Sequence, residues 1–97
     1  MTIIAKITLI SESGSAFAHL RKEFKTSLVP TVGAYILDPG LTDADGLVTQ
    51  RMITEVLLDL DHNIYEITIE DYQLTLSDGA LKDRANDMKA DSWELVA

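Results

Sequence analysis

The sequence predicts an α+β fold, a single domain in which an antiparallel sheet carries helices packed on one face in the order β-α-β-β-β-α. Three observations lead there: apolar alternation near the start, an apolar stripe at helical spacing between residues 17 and 28, and two β-rich segments flanking an acidic turn. A chain of 97 residues buries roughly two-thirds of its unfolded surface in one core and is too short for a second. With 46% apolar and 25% charged residues, it has the composition of a chain that folds.

Thr2 to Ile10 sets Ile3, Ala5, Ile7 and Leu9 on one side and Ile4, Lys6, Thr8 and Ile10 on the other, the period of a strand. Ser11-Glu12-Ser13-Gly14-Ser15 supplies turn chemistry and serines suited to cap a helix. Phe17, Leu20, Phe24 and Leu28 follow at spacings of three, four and four. They predict an amphipathic helix with one narrow apolar face. Val29-Pro30 ends it, because proline lacks the amide hydrogen and restricts the residue before it.

Thr31 to Leu37 reads as a second strand, stopped by Asp38-Pro39-Gly40. Residues 41 to 46 are turn-like, and Leu47 to Leu60 and Ile64 to Leu76 form the strongest strand pair in the chain. A second helix follows, with Leu81, Ala85 and Met88 on one face and Ser77 or Asp78 as its cap. Ser92 to Val96 is a final edge strand or docking segment, since Trp93 is too large an apolar group to leave unburied.

Charge is distributed unevenly. The net charge is −8. Residues 38–78 hold ten acids against Arg51 alone, whereas residues 1–37 carry a small positive excess that includes Arg21, Lys22 and Lys25. Such a field repels phosphate backbones, so the expectation is no direct nucleic-acid binding and a basic protein surface as partner. No apolar run approaches the roughly 18 to 20 residues of a bilayer span, which predicts no membrane association. The absence of cysteine removes disulfides and thiolate chemistry and fits a reducing, cytoplasmic setting.

Residues 56 to 70, VLLDLDHNIYEITIE, pose the sharpest question. Asp59, Asp61, Asn63 and Glu70 occupy positions 1, 3, 5 and 12 of a calcium loop, but position 6, where a sharp bend demands glycine, is Ile64. The flanks favour strands over helices. A hairpin turning at His62-Asn63 instead sets Leu60 against Tyr65, Leu58 against Ile67 and Val56 against Ile69, all on one face. A one-residue slip would send apolar groups to the wrong side. On the other face this register opposes Asp59 to Glu66 and Glu55 to Glu70, a carboxylate stripe destabilising by a few tenths to about 1 kcal/mol per pair, which burial of the apolar pairs outweighs. Upstream, Asp43, Asp45 and Gly46 match part of a second calcium loop that lacks its first and last ligands, and read as an Asp-Gly turn.

Glu55, Asp59, Asp61, Glu66, Glu70 and Asp71 are therefore the candidate partner-binding residues. The first functional expectation is a small, acidic, non-enzymatic interaction module docking through an acidic hairpin face onto a basic protein surface. Same-face residues about 7 Å apart along a strand extend that expectation to mimicry of nucleic-acid phosphates and an inhibitor-like role. The alternatives are a calcium or other divalent-cation module using Asp59, Asp61 and Asn63, and a soluble domain with a carboxylate-lined pocket. No histidine pair at zinc spacing, nucleophile elbow or nucleotide fingerprint is present, so no cofactor is expected. Sheet extension at an exposed first or last strand would make a homodimer.

Overall fold

The computed structural model describes residues 1 to 96. The alternating start forms β1 (Thr2–Ile10), whose Ile3, Ala5, Ile7 and Leu9 are buried. Instead of a helix, β2 (Phe17–Lys25) follows and returns antiparallel to β1, with Ile7 opposite Leu20 and Ile10 opposite Phe17. Two short strands and two longer ones come next: β3 (Tyr35–Ile36), β4 (Arg51–Asp59), β5 (Ile64–Ile69) and β6 (Tyr72–Gln73). The chain ends with α1 (Asp78–Asp87), a 3₁₀ turn over Met88–Asp91 and β7 (Glu94–Leu95).

The spatial order is β3-β4-β5-β1-β2-β7, with β6 continuing the line of β5 beside β1. β1 is parallel to β5 and β6 and antiparallel to β2. This corrects the expected architecture. The molecule is mostly strand, a mixed, curled sheet with a half-barrel and one short helix at its C-terminal end, not an antiparallel β-α-β-β-β-α sheet with helices packed on one face.

The missing first helix has a local cause. In β2 the inward positions are Ala18, Leu20, Lys22 and Phe24, so a lysine interrupts the apolar alternation that would have marked a strand. Its ammonium is neutralised by Asp38 at 2.6 Å. Two members of the helical stripe, Phe17 and Leu28, are exposed. The serines expected to cap a helix close a hairpin instead. Ser11 Oγ accepts from the Ala16 amide at 3.1 Å, Ser13 Oγ accepts from the Ser15 amide, and Gly14 takes a positive φ of 77°.

The long strand expected over 31–37 shrinks to Tyr35–Ile36, and the segment expected over 64–76 is interrupted. Between the Lys6–Thr68 pair and the Leu9–Tyr72 pair, β1 advances by three residues and the partner by four. The extra residue falls at Glu70-Asp71, where the Glu70 amide donates to Met52 O and Glu70 Oε1 accepts from the Met52 amide. The later helix forms where expected, with Ser77 as cap: its Oγ accepts from the Ala80 amide.

One face of the sheet is covered by α1, Leu41, Leu74 and Trp93, each apolar group giving roughly 1.5–3 kcal/mol on burial. Trp93 is fully buried, and its indole N–H donates to Asp38 Oδ1 at 2.9 Å. β1 lies inside the sheet, so the first strand offers no edge; β7 ends the opposite side.

Candidate interaction surface

The β4–β5 hairpin forms, closed by Leu60 to Asn63, with Asn63 in the left-handed region at φ 55°. Asp59 braces the turn. Its Oδ1 accepts from the His62 amide at 3.3 Å and its Oδ2 lies 2.8 Å from His62 Nδ1. The His62 hydrogen bond, with the further bonds the carboxylate accepts, holds Asp59 below the ordinary carboxyl range.

The register differs from the expected one by two residues. Val56 faces Ile67 and Leu58 faces Tyr65, rather than Ile69 and Ile67. A slip of two keeps every side chain on its face, so the burial argument that excludes a one-residue slip is blind to it. The Asp59–His62 bracing fixes the shorter strand ends, and a bulge between Ile53 and Glu55 then brings Ile53 opposite Ile69.

This register rearranges the acids. Glu66 faces Leu57 and forms an ion pair with Lys6 at 3.4 Å; Asp59 faces Ile64; Glu55 faces Thr68. Glu70 is occupied by the Met52 amide, and Asp71 is exposed at the interruption after β5. The expected Asp59–Glu66 and Glu55–Glu70 oppositions are absent.

What the hairpin does gather is apolar. Ile67 and Ile69 on β5 are buried, but nothing among the described residues covers the distal half of β4: Leu57 is 54% exposed, Leu58 45% and Leu60 80%. Glu55, Asp59 and Asp61 lie among these leucines, and Glu55 and Asp61 make no ion pair among the described residues. Solvent-facing leucines on both faces of one strand end are not explained by the core. The sequence expectation placed Leu58 and Leu60 inside, because it assumed that an apolar face implies a covering layer.

A second feature was missed because residues 17–25 read as helix. β1–β2 pairing sets Lys6 opposite Arg21 and Thr8 opposite His19 on the face away from the core. With Glu66 and Asp71 they line an open groove of about 480 Å³. Thr8 Oγ1 is hydrogen-bonded to His19 Nδ1 at 2.9 Å. Two of the candidate carboxylates thus border a concavity, but Lys6 holds one of them as an ion pair, so the walls carry mixed charge rather than paired acids.

The calcium-loop residues sit on the hairpin turn. Asp59, Asp61 and Asn63 lie on a hairpin end without flanking helices, and both Asp59 oxygens face His62. Among the described residues no three His, Asp or Glu side chains are grouped to hold a metal ion. Asp43 closes the turn read from the sequence: its Oδ1 accepts from the Asp45 and Leu47 amides, and Gly46 takes φ 86°. No helix among the described residues is long and apolar enough to cross a membrane.

Compared with protein-family models, curated proteins and solved structures, the chain matches none.

Proposed function

We propose that this chain is a non-enzymatic interaction module that docks through the distal β4–β5 hairpin onto a protein surface with an apolar centre and a basic rim. The observation that carries the reading is the exposure of Leu57, Leu58 and Leu60 among Glu55, Asp59 and Asp61 on one projecting strand end. Apolar anchors within a charged surround are the anatomy of an interface: the centre supplies binding energy, and the rim supplies orientation and association rate. The net charge of −8 supports a basic partner and disfavours nucleic acid itself. The cysteine-free composition supports a cytoplasmic setting.

Affinity capture with wild type, Leu57→Ser/Leu60→Ser and Glu55→Lys/Asp61→Lys tests the reading. The leucine variant should lose the partner, and the charge variant should bind it with weaker salt dependence. Equal recovery by all three proteins would overturn docking through the hairpin.

A further inference from the structure

We infer that the outer edge of β4 from Thr54 to Asp59 is an acceptor for one extended segment of a partner protein, a strand carrying Lys or Arg at alternate positions. This inference rests on the hairpin docking reading and names how, and with what chemistry, the partner is held.

The edge is open for a structural reason. β3 pairs with β4 only through Tyr35–Met52 and Ile36–Arg51. The Ile53 amide still donates to Ala34 O, and Ile53 O accepts from the Gly33 amide. There the neighbouring chain departs and β4 bulges. From Thr54 to Asp59, the side of β4 away from β5 has no backbone partner among the described residues. An unpaired strand edge presents amide donors and carbonyl acceptors at alternate residues, a template for one more strand.

Charge decides the occupant. Glu55, Leu57 and Asp59 share one face of β4, and Val56 and Leu58 the other. A second copy added antiparallel about Leu57 would set Glu55 against Asp59 of its mate at two places in the ladder, and like charges directly opposite destabilise a sheet. Two chains of net charge −8 also repel at long range. The same carboxylates favour a strand whose side chains on the Glu55–Asp59 face are basic. On the opposite face, Val56 and the 45%-exposed Leu58 favour apolar residues. The pattern that fits is strict alternation of Lys or Arg with Val, Ile or Leu.

The test uses the full chain and three end-blocked heptapeptides: alternating lysine and valine, the same peptide N-methylated at alternate residues, and alternating glutamate and valine. Titration followed by amide NMR should show the lysine peptide shifting Thr54 to Leu60 and slowing hydrogen exchange at the edge amides. The N-methylated peptide should bind at least about tenfold more weakly, because alternate N-methylation removes every amide donor along one edge of the peptide. The glutamate peptide should not bind, and Glu55→Lys should weaken the lysine peptide while admitting the glutamate one. Equal binding of the N-methylated peptide at the hairpin would overturn strand addition yet leave hairpin docking standing. No binding, or shifts confined to the groove around Lys6 and His19, would also overturn it, and the leucine variants in the capture experiment then decide the docking reading separately.

Discussion

Asp38 joins the C-terminal segment to the sheet through a few bonds that can be broken singly. It accepts from Lys22 Nζ at 2.6 Å, from the Trp93 indole at 2.9 Å and from the Gly40 amide at 2.9 Å. Partial burial pushes its pKa upward, but these bonds and the Lys22 charge outweigh it, so the carboxyl titrates below its ordinary 3.8. Removing the acceptor leaves the inward Lys22 ammonium and the buried indole N–H unsatisfied. Asp38→Ala should lower unfolding stability by about 1–3 kcal/mol, read by urea denaturation followed through Trp93 fluorescence. Asp38→Asn, which keeps an acceptor but loses the charge, should cost less. The folded carboxyl is the stronger acid, so its contribution is complete above the unfolded value near 3.8 and disappears as pH falls through the lower folded value. Wild type should therefore lose more stability than Asp38→Asn over that acid interval, and equal losses would count against the network. Gly40 supports the same junction by close approach: a Cβ there would lie 2.5 Å from Trp93 Cδ1. Gly40→Ala should thus destabilise by about 1–3 kcal/mol through overpacking and alter the near-ultraviolet circular dichroism of the tryptophan.

Register is the property of the β4–β5 element that burial alone leaves undetermined. The structure predicts close cross-strand nuclear Overhauser contacts joining Val56 to Ile67 and Leu58 to Tyr65, and none joining Val56 to Ile69; the opposite set would restore the two-residue turn. The elements legible in the sequence are those whose local and tertiary preferences agree. β1 alternates without interruption, and Ser77 caps a helix whose Leu81, Ala85 and Met88 face the core. β2 was illegible because its inward Lys22 becomes acceptable only when Asp38, sixteen residues away, arrives to pair with it. The parallel β1–β5 pairing leaves no local trace either, since nothing near Thr2 or Ile64 states that these segments will be neighbours. For the candidate surface, the acids and the turn were readable, as was the capacity of Asn63 for positive φ. The exposed leucines were not, because exposure depends on where the rest of the chain stops, and β3 stops at Ile36.

At the scale of the whole molecule, an open edge and several exposed leucines would normally invite association, and two devices oppose it. The bulge after Ile53 breaks the edge, and the carboxylates of Glu55 and Asp59 make a self-paired ladder repulsive. The second device depends on protonation. The sequence pI is about 4.4, so acidification toward that pH removes the long-range repulsion of the −8 charge and begins to neutralise exposed carboxylates. Asp59, held below the ordinary range by His62, keeps its charge to lower pH. Glu55 supplies the other carboxylate that opposes self-pairing. Light scattering should report a monodisperse protein at pH 7 and reversible association as the pH approaches 4.4. Glu55→Gln, which removes one carboxylate from each end of the self-paired register, should move the onset to higher pH. Leu57→Lys should move it lower by placing a charge at the centre of that register. Were all three proteins to associate at the same pH, the edge of β4 would not be the surface on which copies meet, and the exposed apolar groups around Val29, Val32 and Leu37 would be the place to substitute next.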